Sequence, residues 1–144
     1  MSNNVVAYID GASSNNQNAE LRRGGWAAVL MLVDASGQRD DRPAAYKELS
    51  GRVEGATNNQ MELEAVRQVL LALKSDNLNL TIVTDSQYVI GVLSAGWKAK
   101  KNAELVAEIR LLMSKHQVTF QKVAGHTGIQ YNERADALAV AATQ

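Results

Sequence analysis

Cysteine is absent from this chain, and its absence removes disulfides, zinc thiolate sites and cysteine nucleophiles together. Net charge is absent too. Fifteen Lys and Arg balance fifteen Asp and Glu, so no overall positive field draws a polyanion in, and any grip on one must be local. No apolar run is long enough to span a membrane, and neither an internal repeat nor a low-complexity tract is visible. Asn3 and Asn4 lead straight into the first apolar run without the pattern of a secretory leader. A cytoplasmic protein without membrane contact is the expectation.

What is present is a globular composition. A hydrophobic share of 46% over 144 residues argues against disorder and suffices for one sizeable core, so a single domain over 1–144 is expected. The patterning is α/β. Strands are predicted near 4–10, 25–33, 45–53, 79–84 and 118–124, and helices near 58–74, 86–94, 102–116 and 132–142. The first three strands can form an antiparallel meander through Gly37 and its polar neighbours. The helix from Asn58 can then cross over to set the fourth strand parallel to the first. Thr57 and Gln60 have the spacing of a capping box, which fixes where that helix starts.

Four acidic residues stand where elements meet loops. Asp10 closes the apolar run from Val5 to Ile9 and precedes Gly11, as at the carboxyl end of a strand entering a sharp turn. Asp85 closes the run from Leu80 to Thr84 in the same way, before Ser86 and Gln87 open a helix. Glu62 falls in the first turn of its helix, on the face of Val66, Val69, Leu70 and Leu73. Asp136 stands one turn inside the last helix, which Asn132 can cap, with Ala139 and Val140 on its side. Any one of them, in a chain with fifteen acids, is most simply a surface group. Crowded together they repel and resist burial, and divalent cations remove that cost. Oxygen-only ligands suit Mg²⁺ or Mn²⁺, and shared carboxylates can hold two such ions about 3.5–4 Å apart for phosphoryl displacement.

The local contexts of these acids are distinctive. Tyr8-Ile9-Asp10-Gly11-Ala12-Ser13, Thr57-Asn58-Asn59-Gln60-Met61-Glu62-Leu63, Thr84-Asp85-Ser86-Gln87-Tyr88-Val89, and Gly125-His126-Thr127-Gly128 followed by Asn132-Glu133-Arg134-Ala135-Asp136, resemble in that order type 1 ribonuclease H. The resemblance covers nearly the whole chain. It implies a ribonuclease H-like fold: a five-stranded mixed sheet, strands 4 and 5 parallel to strand 1, with helices on both faces. It also implies a two-metal site of Asp10, Glu62, Asp85 and Asp136, with Asp10 bridging two Mg²⁺ ions. The implied reaction is endonucleolytic cleavage of the RNA strand of an RNA/DNA hybrid, leaving a 5′-phosphate and a 3′-hydroxyl. The same resemblance gives Asn58 and its neighbours, with Gln87, to the minor groove, where amides meet base edges and 2′-hydroxyls, and Thr57 to a DNA phosphate. Gly11, Asn16 and Asn59 join this substrate-binding set. His126, in a short glycine-flanked loop and with an unperturbed pKa of about 6.5, can carry a proton toward the leaving 3′-oxygen. His116, at the end of its own helix, is read as a surface histidine.

The chain departs from the family pattern in three places. Gln60 replaces an arginine often found there, so one backbone contact is expected to be missing or moved. The loop Ser13 to Arg23 is longer and more polar than the usual glycine- and proline-rich turn. Where many bacterial relatives insert a basic helical protrusion, only Ser94 to Lys101 remains, in which Trp97 can stack on a sugar and Lys98, Lys100 and Lys101 can neutralise phosphates. Modest hybrid affinity, no obligate protein partner and a monomer are the expectations. Other readings stay open at this level: another nuclease of the same fold, such as a junction resolvase, a hybrid-binding protein without catalysis, or calcium storage. The last lacks the closely spaced ligands of an EF-hand.

Overall fold

The computed structural model describes residues 4–15, 17–18, 20–33, 45–123 and 130–144. Its elements follow in the order β1 (Asn4–Ser14), β2 (Arg23–Val33), β3 (Ala45–Glu54), α1 (Asn58–Ala72), β4 (Asn79–Thr84), α2 (Gln87–Leu93), α3 (Ala103–Met113), β5 (Gln117–Lys122) and α4 (Gln130–Ala142). The five strands form one mixed sheet in the order β3-β2-β1-β4-β5. β1, β2 and β3 are an antiparallel meander, and β4 and β5 join in parallel. This is the expected architecture. Gly37, the expected turn between β2 and β3, lies outside the described residues.

Side-chain parity along β1 divides the core in two, because successive strand residues point to opposite faces. Val5, Ala7 and Ile9 pack with Leu63, Val66, Val69 and Leu70 of α1, and with Val89 of α2 and Ile109 of α3. Val6 and Tyr8 face the other way, with Val29, Met31, Val83 and Ala135 of α4. Helices therefore cover both faces. Gly25 lets α4 lie close to the sheet: a Cβ there would sit 3.0 Å from both Ala142 Cβ and Thr143 Cγ2 and would run into the Ala139 carbonyl.

Four expectations change at element ends. β1 does not stop at Asp10 but continues to Ser14, because Gly11 to Ser14 pair with Trp26 to Arg23 across an unbroken antiparallel ladder. Glu62 is the fifth residue of α1 and lies past its first turn, which contains no acid. α4 begins at Gln130, so Asn132 is a buried residue inside the helix rather than its cap. Val140 is 43% exposed, so only Ala139 of that pair joins the core.

Candidate active site

The site forms where β1 loses one neighbour. Parallel pairing with β4 runs from Asn4 opposite Asn79 to Tyr8 opposite Val83. Continued two residues, that register sets Asp10 beside Asp85, just past the end of β4 at Thr84. β1 goes on with β2 alone, leaving an open edge between a strand that returns by hairpin and one that arrives by crossover. Ligand sites in open sheets form at such points.

Asp10 lies on the even face of β1, toward α4, whereas Glu62 comes from α1 on the odd face. They meet because Gly11 has no side chain. A Cβ there would fall 2.6 Å from the Met61 carbonyl carbon and would also strike the Glu62 amide, so only glycine lets α1 approach this closely. The start of α1 is held by the expected capping box, with the Thr57 amide donating to Gln60 Oε1 (2.8 Å) and the Gln60 amide to Thr57 Oγ1 (3.2 Å). As a result, carboxylate oxygens of Asp10, Glu62 and Asp85 lie within 4.8 Å of one another. Asp136 of α4 is not in that group of three, but it lies close enough to Asp10 to help raise its carboxyl.

These charges are poorly compensated. Asp10 and Glu62 are buried, and Glu62 Oε2 has no hydrogen-bond partner. The Gly11 amide donates to Asp10 Oδ1 (2.9 Å). Burial, then the contact with Asp136, pushes the Asp10 carboxyl up to about 7 from 3.8. Burial, then the nearby Asp10 charge, holds the Glu62 carboxyl well above its ordinary range. Among the described residues, every recorded ion pair lies elsewhere: Arg52 with Glu54, Arg67 with Glu64 and Glu108, and Arg134 with Glu48. An orphaned carboxylate oxygen within an all-oxygen donor set fits a hard divalent cation, which would stabilise the ionised forms that burial disfavours.

The other predicted residues are distributed unevenly. Thr57, Asn58, Asn59 and Lys101 line a groove of about 860 Å³. Gln87 is exposed at the start of α2. Gly11 is buried under α1. Lys98 and Lys100 are exposed away from the groove lining. Trp97 is 47% exposed, and its ring rests on Gly91 of α2, where its amide donates to the Gly91 carbonyl (3.0 Å). Asn16, and His126 with Gly125, Thr127 and Gly128, lie outside the described residues. His116 is tied into the fold: its Nδ1 accepts the Leu78 amide (3.2 Å).

The groove also holds Arg22, Tyr88 and Asn102, none of them singled out by sequence. Asn102 takes a left-handed backbone at φ 62° before α3 and makes no side-chain cap. Its amide donates to the Tyr88 hydroxyl (3.2 Å) instead, fastening the segment after Trp97 to α2. Nothing in the sequence signals that contact.

The RNase H family model matches residues 2–144. A ribonuclease H from Chlorobium luteolum is 38% identical, the alignment covering 100% of this chain and 98% of that protein. One from Francisella philomiragia is 40% identical over 95% of this chain and 89% of that protein. Among solved structures, LC9-RNase H1, a type 1 RNase H with the type 2 active-site motif, superposes with a TM-score of 0.80 at 26% identity, covering 99% of this chain and 73% of that one. RNase H1 from the halophilic archaeon Halobacterium salinarum gives 0.70 at 30% identity, covering 96% of each chain.

Proposed function

The chain belongs to the ribonuclease H family, and on that premise we propose that it hydrolyses the RNA strand of RNA/DNA hybrids with two Mg²⁺ ions, leaving 5′-phosphate and 3′-hydroxyl ends. The observation that carries this reading is the unpaired acidic cluster, Asp10, Glu62 and Asp85 within 4.8 Å with Glu62 Oε2 orphaned.

Asp10, Glu62 and Asp85, with Asp136 of α4 near Asp10, would hold the ions. At that site the metal would supply positive charge for the reacting phosphate, the attacking water and the departing oxygen. The chain's own residues do the rest. The Gly11 amide holds Asp10 in place. Thr57, Asn58 and Asn59 sit on a groove wall from which hydroxyl and amide groups can meet phosphate, base edges and 2′-hydroxyls. His126 is assigned proton transfer to the leaving 3′-oxygen. Mn²⁺ can replace Mg²⁺ in such an oxygen site. No helix among the described residues is long and apolar enough to cross a membrane. A cytoplasmic monomer without an obligate protein partner completes the reading.

The test is incubation with RNA/DNA hybrid, duplex DNA and duplex RNA, with and without a chelator. Cleavage of only the hybrid's RNA strand, abolished by chelation, is the expected result. Cutting of branched or duplex DNA would indicate a resolvase-like nuclease, and binding without cleavage a hybrid-binding protein.

A further inference from the structure

The inner face of β4 changes character at its last residue. Leu80 and Ile82 belong to the core beneath α1, and strand parity sends Thr84 the same way. Thr84 is fully buried, at a position where the preceding pattern calls for an apolar side chain. A hydroxyl taken out of water costs free energy unless it is hydrogen-bonded. Its partner is the Ser86 amide, which donates to Thr84 Oγ1 (3.0 Å). That bond spans Asp85, and it turns the chain out of the strand as a threonine hydroxyl does when it meets the amide two residues on.

Asp85 is thereby clamped between two fixed neighbours. On the strand side, the Val123 amide donates to the Thr84 carbonyl (3.0 Å), tying Thr84 to the end of β5. On the helix side, Ser86 Oγ accepts from the Val89 amide (3.1 Å) and caps α2. Pairing with β1 has already stopped at Val83, so β1 does not hold the chain here. Carboxylate oxygens of Asp10 and Glu62 stand within 4.8 Å of Asp85, and like charges so close repel. Asp10 is steadied at its own carboxylate by the Gly11 amide, whereas the bonds around Asp85 fall on the residues before and after it. Loosening either neighbour lets the repulsion swing Asp85 outward.

We propose that Thr84 is a positioning residue for the metal site: its hydroxyl, by closing the turn over Asp85, keeps that carboxylate in the cluster against the repulsion of Asp10 and Glu62. This rests on the nuclease reading and deepens it. Valine at this position would keep the branched shape and suit the burial, but it cannot accept the Ser86 amide. Serine would keep the hydroxyl and lose only a methyl group.

The experiment titrates the protein with Mg²⁺ in a calorimeter and measures steady-state cleavage of hybrid alongside. Thr84→Val should bind Mg²⁺ roughly tenfold more weakly, as for the loss of one hydrogen bond. Its kcat should fall further, by up to about 10²-fold, as expected when a catalytic group is misplaced, while KM for hybrid stays at the wild-type value. Thr84→Ser should restore both Mg²⁺ affinity and kcat. A folded Thr84→Val protein with wild-type Mg²⁺ affinity overturns the proposal, even if it melts at a lower temperature, as does a Thr84→Ser protein as impaired as Thr84→Val. One measurement needs no variant to fold: in wild type the Ser86 amide should exchange its hydrogen slowly with solvent, and more slowly still with Mg²⁺ present. Exchange at the rate of an exposed loop amide, or at a rate indifferent to Mg²⁺, overturns the proposal. Failure of wild type to cleave hybrid sinks the nuclease reading instead, and Thr84 is then judged by the titration and the exchange rates alone.

Discussion

Glu48 and Glu62 are the same residue type in opposite circumstances. Glu48 takes two hydrogen bonds from Arg134 (2.8 and 2.9 Å) and one from the Tyr46 hydroxyl (2.6 Å). Its carboxyl is held down to about 2, first by Arg134 and then by Tyr46. Glu62 lies deeper, among Asp10 and Asp85, with one oxygen unpartnered and, among the described residues, no ion pair to a base. Among the described residues, the fold pairs Glu48 with a base and gives the acids at the end of β1 none. The unmet charge there is a place kept for ions from solution, consistent with the large penalty for burying acids unpaired.

Removing one charge from the crowded side breaks the contrast most sharply. Asp10→Asn should cut cleavage to background, a loss of about 10³-fold or more if several kcal/mol of transition-state stabilisation by metal is forfeited. Hybrid binding should survive. In chelator the variant should melt at a higher temperature than wild type, because repulsion among the remaining acids is relieved. A clearly lower melting temperature would count against a tight cluster.

A pH series separates Asp10 of the cluster from Glu48 without mutation. In metal-free folded protein Asp10 keeps its proton up to about 7, whereas the unfolded chain releases it near 3.8. The folded state therefore holds the extra proton between those values, and stability falls as pH rises through that window, by an amount on the order of a few kcal/mol. Glu48 acts in the opposite sense at lower pH: its contribution is present above 4.5 and is lost as pH falls toward about 2. Thermal melts in chelator should show the fall between pH 4 and 7, and divalent metal should flatten it. Metal-free stability that climbs across this interval would contradict the assignment.

Gly11→Ala tests the close approach that creates the crowding. The added methyl pushes α1 outward with Glu62, costing about 1–3 kcal/mol by overpacking and weakening metal binding in a calorimetric titration. Wild-type values for both would mean that α1 yields without cost. The smallest effect belongs to the satisfied side. Glu48→Gln should lower the melting temperature slightly, a difference that disappears at high salt as expected for an exposed ion pair. Metal affinity at the cluster should stay as in wild type.

The meander, the crossover to β4 and the helices of the described residues were legible because apolar periodicity and a capping box mark them locally, whereas the place of β5 followed from the family resemblance. The true length of β1 was not. Ser13 and Ser14 look like loop residues, and only their pairing with Gly24 and Arg23 makes them strand, an instance of tertiary context overriding propensity. Asn132 has the composition of a cap but lies inside α4, because the helix starts two residues earlier. Arg22 looked like one cation in a polar stretch. Its place beside Thr57 depends on a bond to Gly55, thirty-three residues away, which no local pattern encodes. Trp97 looked free to stack on substrate, whereas Gly91 provides a seat for its ring.

The position of β1 at the centre of the sheet also governs how the protein is made. β1, β2 and β3 leave the ribosome before the rest, and one side of them, carrying Val6, Tyr8, Val29, Met31 and Val33, stays uncovered until the final helix emerges. Nascent chains with such a bare apolar surface are prone to aggregate and are natural clients of chaperones. The same late helix carries Asp136. On the proposed mechanism a tethered, unfinished chain is therefore catalytically silent, and the nuclease acquires its last acid only as its hydrophobic surface is closed.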